Sequence, residues 1–500
     1  MKLRIIRVKT ALLLLTVALI AGGLYAQKPE TVRAASGALF KTLFQFDNTD
    51  GGDPSAALVQ GTDGSFYGTT IAGGANDDGT VFKITPQGIL TTLHSFDITE
   101  GYAPEASMVL GADGNFYGTT DAGGAYLSAC NGYGCGTIFK ITPGGALTTL
   151  YSFCAQAGCP DGNRPGALVQ GADGNFYGTT EYGGSDSCPN TCGTVFKITP
   201  TGVFTGLYKF TPADGFYPSL LAGLVQASDG NFYGTTQEGG SVPCHGGACG
   251  TVFRITPEGV LTSLHSFTDS GAEGAGPSGT LIQATDGNLY GTTGGGGHGQ
   301  DCFHGGCGTV FKITLQGVYT TLADLNITDG SGPFGLIQGT DGNFYGAANQ
   351  GGSGECNCGS IFEVTPAGVL TPLHSFNTSG GGYMPFSSPI QATNGTFYGT
   401  TFYSTAPNGD YGAVYSFSVG LGPFVKSVPT AGKTGTTVKI LGNNLKFATG
   451  VTFNGVAATF TVESSTYIKA TVPAGATTGP IVVTLPSGTL TSNANFQVLP

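Results

Sequence analysis

An all-β fold built by repetition around an axis is predicted by three features of this 500-residue chain. The phrase DGNFYGTT, or a near variant, starts at Asp63, Asp113, Asp173, Asp229, Asp286, Asp341 and Asn394, a period of about 55 residues. Six of the seven periods hold four strand-like runs, the seventh holds three, and one further run stands alone ahead of the first copy. Self-similarity of this length, with strand content inside each unit, signals sheets that share their cores with their neighbours.

The N-terminus reads as a secretory signal over residues 1–26. Lys2, Arg4, Arg7 and Lys9 precede an apolar run that ends at Leu24-Tyr25-Ala26, with cleavage expected after Ala26. That ending departs from the small-x-small rule, so an uncleaved anchor is the alternative. No later apolar segment is long enough to span a bilayer. Residues 27–36 read as a linker.

Within each repeat, an LVQ-like run leads through an Asp-Gly or Asn-Gly pair, suited to a tight hairpin turn, into NFYGTT. A TVFKI-like run follows, beginning at Thr80, Thr137, Thr194, Thr251, Thr309, Ser360 and Ala413. A Thr-Pro-x-Gly turn then usually leads to LTTLHSF or a relative. The seventh repeat ends at Phe417 without that fourth run, while a copy of it, ALFKTLFQF, sits at Ala38 to Phe46. The expected architecture over residues 37–420 is therefore a seven-bladed β-propeller closed by the N-terminal strand, which removes an open sheet edge. An open solenoid would leave the orphan strand without a role.

Composition bounds the rest. The 87 Gly and 10% charged residues describe a turn-rich chain, and 40% hydrophobic content is enough for a large core, which excludes disorder. Residues 10–422 carry 10 Lys and Arg against 30 Asp and Glu, whereas the tail from Pro423 carries five Lys against Glu463 alone. An acidic body repels nucleic acid, so none is expected as partner.

The ordered submotifs YGTTxxGG, GTVFKITPxG and LTTLHSF resemble the GloVer tandem-repeat family of exported bacterial proteins. The resemblance implies a secreted, cell-surface or periplasmic location and no established reaction. Residues 423–500 resemble an IPT/TIG module of the immunoglobulin-like class, carried by SVPTAGKTGTTVKILGNNL, GVTFNGVAATF and ATVPAGATTGPIVVT. A small β-sandwich is the expected fold there, and its short runs separated by Gly, Asn and Pro turns support that independently.

If the first strand of each blade is innermost, the second-to-third and fourth-to-first connections emerge on one face and hold all the sequence elaboration. Twelve cysteines fall there as Cys130/Cys135, Cys154/Cys159, Cys188/Cys192, Cys244/Cys249, Cys302/Cys307 and Cys356/Cys358. In an exported chain these read as local disulfides. Metal ligation with His245, His298 or His304 is the rival reading, and none is assigned; whether the closely spaced Cys356 and Cys358 pair with each other stays open.

An acid followed by Gly-x-x-Pro recurs at Asp50, Glu100, Asp161, Asp214, Glu273 and Asp329. Such a ring is suited to a divalent cation such as calcium or to sugar hydroxyls, although turn capping is the preferred reading. No other cofactor is expected. Tyr102, Tyr126, Tyr133, Tyr182, Phe216, Tyr217 and Tyr383 stand in elaborated loops where an aromatic face can stack on a sugar.

The leading expectation is a secreted or cell-surface, non-catalytic binding or adhesion protein whose loop face takes glycan or envelope polymer. An extracellular carbohydrate-active enzyme is the alternative. The propeller-plus-sandwich layout resembles galactose-oxidase-like copper radical enzymes, but no quartet of two Tyr and two His is placed for copper. Lyase or glycosidase chemistry needs a non-repeating acid or base at the mouth. A structural envelope component is the third reading. No catalytic residue is assigned, and sequence supplies neither ligand nor oligomeric state.

Overall fold

The computed structural model describes residues 39–184, 192–241, 249–268, 272–299, 302, 306–354, 356–379, 381–405 and 409–499. The expected signal segment and linker lie outside the described residues. Among those described, all regular structure is strand apart from two single-turn 3-10 helices, and no helix is long and apolar enough to cross a membrane.

Sheet 1 runs Val59–Gln60, Phe66–Thr70, Thr80–Ile84, Leu90–Ser95, each strand antiparallel to the last. Sheets 2 to 6 repeat this order through residues 109–152, 163–209, 216–266, 275–324 and 331–375. Sheet 7 takes Ile390–Gln391, Phe397–Thr401 and Ala413–Ser418, then borrows its fourth strand, Leu39–Gln45, from the start of the chain. The orphan run thus completes the last sheet. Four-stranded antiparallel sheets of this kind are the blades of propellers.

The repeated phrase explains how sheets join. Its Phe stacks on the Tyr of the preceding sheet, with centroids 4.1 Å apart for Tyr67 and Phe116, 4.0 Å for Tyr117 and Phe176, and 4.0 Å for Tyr177 and Phe232. Tyr398 of sheet 7 meets Phe66 of sheet 1 at 4.0 Å, so the last junction repeats the others. The Tyr hydroxyl donates to the Asp that begins the phrase, as from Tyr117 to Asp113 Oδ2 at 2.9 Å, and Asp113 Oδ1 accepts the Asn115 N–H in the turn. Asn394 replaces Asp in the seventh copy and donates its amide to Tyr398 instead. The Gly of FYGTT is obligatory for packing: a Cβ on Gly68 would stand 2.5 Å from Phe82 Cζ.

A second latch uses the Gln that ends the first strand. Gln170, Gln226, Gln283, Gln338, Gln391 and Gln60 each accept a backbone N–H from the Asp-Gly turn of the preceding sheet, at 2.8 to 3.1 Å. Sheet 2 has Leu110 in this place. Leu110 is buried in a cluster with Leu441 and Val428 from the C-terminal region, so the departure from Gln marks where that region docks on the turn side.

The C-terminal region forms two four-stranded sheets around one core. Lys426–Val428, Thr437–Leu441, Tyr467–Thr471 and Phe460–Val462 make the first, and Val456–Ala457, Gly450–Phe453, Ile481–Leu485 and Gly488–Thr491 the second. Val438, Ile440, Phe453, Ile468, Ile481 and Val483 are fully buried between them. Docking adds polar clips: Thr466 Oγ1 donates to Thr62 O at 2.8 Å, and the Lys439 ammonium reaches Ala112 O.

Candidate binding site on the loop face

Seven homologous residues precede the Pro of each fourth-to-first connection: Asp53, Ala103, Arg164, Tyr217, Gly276, Gly332 and Met384. All seven adopt left-handed backbone, with φ between 53° and 64°. A residue before proline ordinarily prefers extended backbone, and five of these seven carry a Cβ that disfavours positive φ. Local strain of this kind survives because the surroundings over-determine it. One determinant is a hydrogen bond: Cys135 O accepts the Arg164 N–H at 3.0 Å, and Cys249, Cys307 and Cys358 do the same for Gly276, Gly332 and Met384.

Disulfides fix those carbonyls. They join Cys130–Cys135, Cys154–Cys159, Cys302–Cys307 and Cys356–Cys358. Cys192 and Cys249 are also disulfide-bonded, and Cys188 and Cys244, the partners expected from spacing, lie outside the described residues, as do His245 and His304. A set of disulfides indicates an oxidising extracellular or periplasmic location.

A cluster of charge on this face gathers around Arg164. Its guanidinium pairs with Asp121 through Nε and with Glu181 at 2.8 Å, while Tyr182 lies 5.6 Å from its Cζ. Asp121 and Glu181 are homologous, Asp121 directly after the second strand of sheet 2 and Glu181 near the end of the second strand of sheet 3. Burial raises both carboxyls above the usual range, with Arg164 opposing. Glu105 completes the group. Burial, reinforced by Asp121 and Glu181 and opposed by Arg164, pushes its carboxyl up to about 7. Its homologues are Ser55, Gly166, Ser219, Ser278, Phe334 and Phe386, so an acid occurs here once. Glu105 O accepts the Ser55 hydroxyl at 3.0 Å, and Ser55 with Ser107, Ser278, Phe334, Phe386 and Ser387 lines a narrow cavity where the sheets' first strands converge.

Sequence-selected residues fall in two settings. Asp50, Glu100, Asp161, Asp214, Glu273 and Asp329 occupy equivalent junctions, where the carbonyl of each accepts a third-strand hydroxyl, as from Thr137 to Glu100 at 2.9 Å. Their carboxylates turn to the adjoining fourth strand or its turn: Glu100 meets His94 at 2.8 Å, Asp161 accepts from Tyr151 at 2.9 Å, and Asp214 from Tyr208 at 2.7 Å. Glu273 faces His265 at 3.5 Å, Asp50 Oδ1 accepts the Asp47 N–H, and Asp329 accepts from Asn326.

Among the aromatics, Tyr182 and Tyr217 pack edge to face at 5.1 Å beside Arg164, and Phe216 supports Tyr217 at 4.8 Å. Tyr102 bridges to Ala122, next to Asp121. Tyr126 and Tyr133 are exposed around the Cys130–Cys135 loop. Tyr383 stands apart, donating to Asp410 at 2.8 Å. Sequence reasoning did not select Arg164, Asp121, Glu181 or Glu105. One signal was present, because Arg164 and Arg254 are the only arginines beyond residue 36.

Comparison with curated proteins finds no significant match. Among solved structures, a luciferin-regenerating enzyme is similar at 12% identity and TM-score 0.40, covering 78% of this chain and 98% of that one. A gluconolactonase of Xanthomonas campestris is similar at 11% and 0.35, covering 76% and 89%. An extracellular domain from B. thetaiotaomicron is similar at 11% and 0.46, covering 93% and 60%. No activity is carried over from them. The Gloeobacter/Verrucomicrobia repeat model matches residues 22–242, 127–353 and 223–462, so the chain belongs to the Gloeobacter/Verrucomicrobia repeat family.

Proposed function

We propose that this chain is an exported, non-catalytic binding protein: a seven-bladed propeller closed by its N-terminal strand, with an immunoglobulin-like module of IPT/TIG type on the turn face. The loop face around Arg164 takes a glycan or envelope polymer. The observation that carries this reading is the convergence of Asp121, Glu181 and the Tyr182–Tyr217 pair on Arg164, with Arg164 and Tyr217 in left-handed backbone and Arg164 braced through the carbonyl of the disulfide-bonded Cys135. Such a surface offers fixed donors and acceptors to hydroxyls and an aromatic edge and face to a sugar ring. A polysaccharide array probed with the mature protein tests it. Wild type should be retained on at least one polymer, and Tyr182→Ala with Tyr217→Ala should release it. Retention of neither, or of both equally, overturns the reading.

Glu105 favours a second reading. A single acid with its carboxyl held near 7, beside two further carboxyls and an arginine, would suit a general acid or base for a glycosidase or lyase. Under this reading Glu105→Gln keeps polymer binding and loses turnover of acidic polysaccharides. Absence of turnover in the wild type removes it.

A further inference from the structure

The junction between sheets 2 and 3 is distinguished by a second cysteine pair. Cys154 and Cys159 leave the fourth strand of sheet 2 beside the Cys130–Cys135 loop, and both pairs are spaced Cys-x4-Cys, with residues 136–153 between them. Cys130 Sγ lies 3.8 Å from Cys154 Sγ and Cys135 Sγ 4.0 Å from Cys159 Sγ, with all four sulfurs within 4.8 Å of one another. Around a tetrahedral zinc with bonds of about 2.3 Å, sulfurs stand about 3.8 Å apart. The two cross-pair distances already match that edge.

We propose that these four cysteines form one site with two states: two adjacent disulfides when oxidised and a zinc-class tetrathiolate when reduced. Cys130, Cys154 and Cys159 hold left-handed backbone at φ of 48°, 64° and 45°, so both loops are bent to bring the sulfurs together against ordinary backbone preference. Cys135 and Cys154 are buried, at 1% and 5% exposure, which shelters the centre from bulk water. The other disulfides whose two members are described, Cys302–Cys307 and Cys356–Cys358, have no second pair beside them among the described residues.

Conversion consumes two equivalents of a dithiol. A dithiol thiolate attacks one sulfur of a disulfide, its second sulfur then closes the mixed disulfide to a cyclic disulfide, and two cysteine thiols remain. After both disulfides have reacted, one divalent ion forms four metal–sulfur bonds and four protons are released. The consequence reaches the binding face. Cys135 O holds the Arg164 N–H, and Cys159 O accepts from Gly162 and Gly184, each at 3.0 Å. Metal therefore restores the staple under Arg164 after reduction, while a solitary pair loses its own.

Cobalt titration of the phosphine-reduced full chain, without oxygen, tests this. One cobalt per chain should bind with the intense visible absorption of tetrahedral thiolate coordination and be displaced by zinc. Cys154→Ser with Cys159→Ser should abolish the signal, whereas Cys302→Ser with Cys307→Ser should keep it, and oxidised chain should show none. A wild-type measurement avoids dependence on variant folding: zinc should protect Cys130, Cys135, Cys154 and Cys159 from alkylation while Cys302 and Cys307 react. Equal alkylation of the two groups, or an unchanged signal in the oxidised chain, overturns the proposal.

Discussion

The turn face and the loop face are built on the same seven sheets and use their sequence in opposite ways. On the turn face six of the seven copies agree at each contact: Asp holds Tyr, Tyr stacks on the next Phe, and Gln latches the previous turn, with Asn394, Leu289 and Leu110 as the single departures. On the loop face the residues before proline share one backbone conformation while their side chains run from Gly to Arg. Agreement among copies therefore records the contacts that hold neighbouring sheets together. Divergence at a fixed backbone position records what the surface presents, and the family's architecture separates the two.

The largest expected effect comes from breaking a turn-face contact. Phe176 is fully buried against Tyr117, and Phe176→Ala should cost about 3–5 kcal/mol in chemical denaturation through lost burial and a residual cavity. The matched loop-face change, Tyr182→Ala, should cost within about 1 kcal/mol while removing polymer retention. If the two variants lose stability equally, the division between scaffold face and presenting face fails.

The ring is also open to acid at the strand that completes it. His374 stacks on Phe40 of the N-terminal strand, centroids 3.9 Å apart, and burial lowers its titration from the ordinary 6.5 to about 4. Because the folded state resists a proton that the unfolded state accepts, this contribution is complete above 6.5 and is lost as pH falls from there to about 4. The loss should be at most on the order of 3 kcal/mol. Phe44 occupies the equivalent place in sheet 7, so His374→Phe should fit and flatten this part of the pH profile. An unchanged profile in the variant would assign the acid sensitivity elsewhere.

How legible each face was follows from the same comparison. Seven copies and one orphan run made the strand order readable, because the phrase's Tyr–Phe stack and its Thr–Thr hydrogen bond recur from sheet to sheet. The Arg164 group was hidden for the reason that it does not repeat. Glu105, Asp121, Arg164 and Glu181 come from four separate places along the chain and look ordinary one at a time; they meet only when sheets 2 and 3 stand side by side. The rule for residues before proline pointed to extended backbone, which concealed the left-handed ring. The adjacency of Cys130–Cys135 to Cys154–Cys159 likewise depends on two loops meeting across a junction.

A smaller effect should appear where the turn face departs from its own rule. Leu110→Gln replaces an apolar contact with Leu441 by the latch that the other six sheets use, offering its amide oxygen to the turn at Thr62. Loss of that burial should weaken docking of the C-terminal region by about 1–3 kcal/mol while leaving the ring's own melting nearly unchanged. Faster proteolysis between Ser418 and Lys426, with intact ring fragments, is the expected result. A single cooperative loss of both regions would show instead that Leu110 serves the ring.

The smallest effect concerns the strain itself. Tyr217 has a φ of 57°, a conformation that costs a residue with a Cβ roughly 1–2 kcal/mol and glycine almost nothing. Glycine also loses more freedom on folding, so the two terms nearly cancel, and Gly276 and Gly332 already stand at homologous places. Tyr217→Gly should therefore shift stability by no more than about 1 kcal/mol, in either direction, while polymer retention falls. If the tyrosine is held left-handed for what it presents, removing the side chain should harm binding and spare the fold. A marked fall in melting temperature with binding retained would make Tyr217 a packing residue, and the left-handed ring would then belong with the scaffold.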